Sequence, residues 1–151
     1  MTINVTRVIA GGLLAGIVFD LFEAVMNGML MRPQWAAIMT SLNRPQFAPS
    51  QILLFNIVGL VTGLAAVWTY AAIRPRFGSG PRTALIAAAL TWVTAKAVVA
   101  AYPLISGIYP VQPMAIMLTL QMAEIALGTL AGAWLYRESA DQLASAVPAS
   151  P

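Results

Sequence analysis

The 151-residue chain contains no cysteine and no histidine. Without thiolates or imidazoles it cannot form a disulfide, a Cys/His metal site, a His-ligated haem, an iron–sulfur cluster or a His-based catalytic triad. Charge is scarce too: Lys, Arg, Asp and Glu make up 9% of the residues, against roughly a quarter in an ordinary soluble domain. What fills the chain instead is apolar. With 60% hydrophobic residues and a mean hydropathy of +0.80, the composition excludes a water-soluble globule. Eight basic against five acidic residues leave a net charge of +3. The basic residues stand at the ends of apolar runs rather than in a patch, so no footprint for nucleic acid is present.

A hydrocarbon core of roughly 30 Å takes about 20 helical residues to cross. Four apolar stretches reach that length, residues 8–31, 51–73, 83–102 and 114–136. Between them stand helix-stopping groups: Arg32-Pro33, Arg44-Pro45 and Pro49, then Arg74-Pro75 and Gly78-Ser79-Gly80-Pro81, then Pro103, Gly107, Pro110 and Pro113. The pattern predicts one all-α membrane domain over residues 1–151, a bundle of four transmembrane helices. The first stretch is read as a retained span and not as a removable leader, because it leads into Asp20 and Glu23 with no small-residue cleavage pattern. The polar end, residues 137–151, is expected to fray.

Lys/Arg counts in short loops set the orientation. Arg7, Arg74, Arg76, Arg82 and Arg137 fall on one side and Arg32 and Arg44 on the other, which predicts both termini in the cytoplasm. Trp68, Tyr70, Trp134 and Tyr136 would ring the inner interface, and Trp35, Tyr102 and Tyr109 the outer one, with Trp92 left at mid-depth. In the first outer loop Trp35, Ile38, Met39 and Leu42 recur at helical spacing between two X-Pro breaks. They predict a short amphipathic helix lying in the outer interface, as a cap over the bundle or as a lid.

Four ionisable residues fall inside the spans: Asp20 and Glu23 in the first, Lys96 in the third and Glu124 in the fourth. Each costs a few kcal/mol at the bilayer centre, so all are expected to face inward. At about 1.5 Å per residue, Asp20 and Lys96 lie roughly 10 Å below the outer boundary, Glu23 roughly 6 Å and Glu124 roughly 15 Å. Asn56 and Gln121 come out at similar depths, so every span offers a polar group to one outer layer.

Helical phase points the same way. Gly12, Gly16, Asp20, Glu23 and Asn27 form one stripe on the first span. Asn56, Gly59 and Gly63 repeat it on the second, and Gln121, Glu124, Gly128 and Gly132 on the fourth. Small residues toward the inner half favour close helix packing, and the polar residues are expected where the bundle widens.

Three carboxylates facing one ammonium would leave a net charge of −2 if all were ionised. A carboxyl that keeps its proton, a water or a bound cation relieves that balance. Lys96 is expected to pair with Asp20 or Glu124. Two classes of function fit this cluster, Asp20, Glu23, Asn27, Asn56, Lys96, Gln121 and Glu124. In the first it fixes helix register in an accessory or assembly protein, whose partners are the lipid bilayer and a membrane protein or a second copy of the chain. In the second it is the site of a proton- or cation-linked transporter or ligand-binding protein. Catalysis is not expected, since no nucleophile stands beside a base and no cofactor motif is present. Met26, Met29, Met31, Met39, Met114, Met117 and Met122 gather in the outer half. Thioethers suit Cu(I), but here they read as adaptable packing, and no metal site is assigned.

Gly11-Gly12-Leu13-Leu14-Ala15-Gly16, then Asp20-x-x-Glu23-x-x-x-Asn27, then Trp35 with Leu42-Asn43-Arg44-Pro45, resembles the opening of small four-helix bacterial integral membrane proteins of unassigned activity. The resemblance covers mainly the first third of the chain. It implies a bacterial inner membrane and transfers no site residue.

Overall fold

A computed structural model describes residues 3–136, so Arg137 and the polar end that was expected to fray lie outside the described residues. Among those described, the chain is helical and forms no strand. Helix α1 spans Val5–Val25 and continues through a π-helical turn, Met26–Leu30. Short α2 spans Arg32–Ser41 and long α3 spans Pro49–Phe77. Helix α4, Pro81–Trp92, passes through a second π-helical turn, Val93–Ala97, into α5, Val98–Ile105. Helix α6 spans Val111–Leu135. Four helical stretches are long and apolar enough to cross a membrane: Val5–Leu30, Pro49–Phe77, Pro81–Ile105 and Val111–Leu135.

These helices outrun the hydropathy boundaries by up to a turn, and the prolines explain the difference. Pro75 and Pro103 each lie in a last turn with two helical residues after them, so each removes one bond to the carbonyl four residues back near the helix end and not in mid-helix. Pro113 sits in the first turn of α6, where backbone N–H groups have no intrahelical partner to lose. The stop after α3 belongs to Gly78, whose φ of 83° is open to glycine at little cost. The Thr83 hydroxyl then donates to the carbonyls of Phe77 at 3.2 Å and Gly78 at 2.8 Å, holding the α3–α4 turn closed.

Helix α1 packs against α3 and α6, and α4 packs against the same two, so α1 stands diagonally opposite α4. Packing here rests on close approach at small residues. A methyl on Gly63 would run into the backbone of Gly12 and Gly16, and one on Gly12 or Gly16 would meet the Cα of Leu64 at 2.7 Å or of Leu60 at 2.6 Å. On the other side of α1 the Phe19 ring lies against Gly128, and Gly11 and Gly132 face each other through their carbonyls. Phe19, Val67, Ala87 and Ile125 complete a tight core in this half. Toward the other end the bundle opens, and every residue of α3 from Gln51 to Val58 is exposed.

Candidate functional site

The centre of the opened half is polar. Lys96, carried on the second π-helical turn, reaches across the diagonal and donates to Glu23 Oε1 at 2.6 Å. Gln121 on α6 donates to the same oxygen through Nε2 at 3.0 Å. The other oxygen of Glu23 accepts from Asn27 Nδ2, and the carbonyl oxygen of Asn27 accepts from Trp35 Nε1 at 2.8 Å. A continuous run of polar contacts therefore joins α2 to the middle of the bundle. A π-helical turn inserts one extra residue per turn and re-aims the side chains it carries. Here one such turn holds Asn27 and the other holds Lys96.

Glu124 lies behind this pair with no solvent exposure, its Oε1 3.4 Å from Lys96 Nζ. Neither of its oxygens accepts a hydrogen bond among the described residues, nor does Oε1 of Gln121. Thr129 Oγ1, also on α6, is buried and lacks a hydrogen-bond partner among the described residues too. Glu124 and Gln121 thus hold acceptors without donors, while the Thr129 hydroxyl, which can donate or accept, lies further along α6. One ammonium serves two carboxylates, and a buried acceptor without a donor costs about 1–3 kcal/mol, more when charged. A proton on a carboxyl, a water or a cation supplies the missing donor.

The two outlying members of the expected cluster behave differently. The Asp20 carboxylate rests over Gly59 on α3, in the space a Cβ there would fill. It is half-buried, within electrostatic reach of Glu23 and Lys96, and makes no hydrogen bond or ion pair among the described residues. Lys96 therefore takes Glu23 and Glu124, and not Asp20, as its near partners, because Asp20 is turned toward α3 while Lys96 arrives from α4. Asn56 does not join the centre at all. It is exposed, since α3 has already diverged from α1 at that height.

The surroundings fix this arrangement. Trp92 Nε1 donates to the Leu118 carbonyl at 3.1 Å, tying α4 to α6 beside the site. Above it Trp35 meets Tyr109 edge to face at 5.9 Å and Phe47 at 6.0 Å, and Phe47 meets Phe55 at 5.4 Å. The rings form a row from the α5–α6 loop to α3. Buried Ile38 and half-buried Trp35 and Met39 give α2 its inner face, whereas Leu42 is exposed. Of the methionines, Met26, Met31 and Met114 are buried while Met29 and Met122 are exposed. Among the described residues no three Asp, Glu, His or Cys side chains come together in a way that would hold a metal ion.

No protein-family model, no curated protein and no solved structure matches this chain.

Sequence reasoning missed the part played by Trp35 and both π-helical turns. Trp35 was legible only as an apolar residue on an amphipathic helix, though its indole N–H needs a partner when partly buried. The Asn27-Gly28 pair inside an apolar run was the one visible sign of irregular helix there.

Proposed function

We propose that this chain is a small multi-pass protein of a bacterial inner membrane, with both termini cytoplasmic, whose buried carboxylate–lysine centre takes up and releases a proton or another monovalent cation. The observation that carries this reading is Glu124: a fully buried carboxyl that accepts no hydrogen bond among the described residues and shares one ammonium with Glu23. A centre built only for rigidity satisfies its acceptors, because half-satisfied polar networks weaken a bundle. Ionisable groups at membrane depth are hypotheses of function by default. The orientation rests on Arg7, Arg74, Arg76 and Arg82 at one end of the bundle against Arg32 and Arg44 at the other. Helix α2 would then lie at the outer surface as a roof. No enzymatic role is proposed, since the centre holds no nucleophile beside a base.

A second reading, an accessory or assembly protein whose cluster fixes helix register, draws on the Lys96–Glu23 pair, which links diagonal helices directly. Unfolding in detergent micelles as a function of pH separates the two. If the folded bundle holds a proton that the unfolded chain releases, stability falls as pH rises, and Glu124→Gln flattens that slope. Identical pH dependence in wild type and Glu124→Gln leaves the accessory reading standing and removes the proton site.

A further inference from the structure

The acceptor excess extends beyond the centre, to Asp20. Its carboxylate sits where α1 and α3 touch at Gly16, Gly59 and Gly63, and above that contact every residue of α3 from Gln51 to Val58 is exposed, which leaves a cleft between the two helices. Asn56 lies on the stripe of α3 that faces α1 lower down, three and seven residues before Gly59 and Gly63, and it is exposed. An amide and an unpaired carboxylate thus face an open space at membrane depth, where polar groups left alone are costly. The row of Trp35, Phe47 and Phe55 reaches α3 at Phe55, the residue before Asn56. Farther in, Gln121, 4% exposed, and fully buried Glu124 hold acceptor atoms that take no hydrogen bond from a described residue.

We infer that this cleft binds a primary organic ammonium, with Asp20 as its charged anchor and Asn56 as a further acceptor. The inference goes beyond the proton reading of the Glu124 centre, because it assigns a second cation to a separate site. Three features select that class. An ammonium head carries three N–H donors, which the two oxygens of Asp20 and the carbonyl of Asn56 can accept. A hard inorganic cation such as calcium asks for six or more oxygens, and no three acidic side chains converge among the described residues. Aromatic rings attract organic cations through their faces, and the exposed apolar flank of α3, including Phe55 and Ile52, suits an alkyl tail. Lys96 stays on Glu23 and Glu124, so the incoming charge meets Asp20 without displacing it.

The test is thermal unfolding of the purified full chain in detergent micelles with hexylammonium chloride, against hexanol and sodium chloride at matched concentration. Hexylammonium is expected to raise the midpoint by several degrees and the two controls to leave it in place, because a ligand that binds only the folded state stabilises it. Asp20→Asn should lower the apparent affinity at least about tenfold. Asn56→Leu, at an exposed position, should weaken it too, and it serves if Asp20→Asn does not fold. No shift specific to hexylammonium, or one of equal size in the substituted chains, overturns the assignment. The pH slope governed by Glu124 is read in the absence of amine, so loss of that slope with a surviving Asp20-dependent shift sinks the proton site alone.

Discussion

Lys96 Nζ lies 2.6 Å from Glu23 Oε1 and 3.4 Å from Glu124 Oε1, so one ammonium from α4's continuation binds carboxylates on two other helices. Lys96→Met would leave both carboxylates in the bundle without a cation. Removing one partner of a buried pair costs about 3–5 kcal/mol. Protonation relieves the stranded carboxylates, so the loss should be largest at neutral and alkaline pH and shrink as pH falls. Denaturant unfolding of wild type and variant at two pH values checks this; equal stability at both would place Lys96 outside the ion pair.

Gly63 and Gly28 offer a paired comparison on helix packing. A Cβ at Gly63 meets the backbone of Gly12 and Gly16, while one at Gly28 meets nothing within 4 Å. Gly63→Ala should destabilise by about 1–3 kcal/mol through overpacking. Gly28→Ala should be neutral or stabilise by up to about 1 kcal/mol through helix propensity. Midpoints of thermal unfolding for the two variants should move apart in those directions, and a tolerated Gly63→Ala would contradict the close crossing of α1 and α3.

Trp35→Phe keeps an aromatic ring against Tyr109 and Phe47 but removes the donor to Asn27. The expected loss is about 1 kcal/mol, the net worth of one neutral hydrogen bond. Asn27→Leu should cost more, because it also strips Glu23 Oε2 of its donor. The ordering of the two variants in unfolding experiments is the readout, and Trp35→Phe matching wild type would mean that α2 is held by its apolar face alone.

Because the chain has no cysteine, single substitutions report topology without background. Ser79 and Ser106 are exposed in loops at opposite ends of the bundle. With both termini cytoplasmic, Ser106→Cys should react with a membrane-impermeant maleimide in intact cells and Ser79→Cys only after the membrane is opened. The reverse labelling would invert the orientation.

The four long helices were legible because membrane-length apolar runs are written directly into composition. Glu23, Lys96, Gln121 and Glu124 could be grouped by depth and phase, since side chains three and four apart share a helix face. Asn56 shows where that logic stops: phase gives direction along a helix but not the distance to its neighbour, and α3 has already parted from α1 there. Asp20 shows the same limit in another form, since the stripe it shares with Glu23 is wide enough for the two carboxylates to serve different neighbours. The π-helical turns at Asn27 and Lys96 left almost no mark, because an inserted residue in a helix changes the backbone pattern and not the composition.

Gly59 holds no charge and has no side chain, yet it decides where the charge of Asp20 resides, because the carboxylate occupies the room its missing side chain leaves. Adding a single methyl at that point evicts an acid from its berth on the facing helix. Harm done at 59 should therefore be curable by shortening residue 20, a second-site suppression that links a neutral position to an ionic one through shape alone.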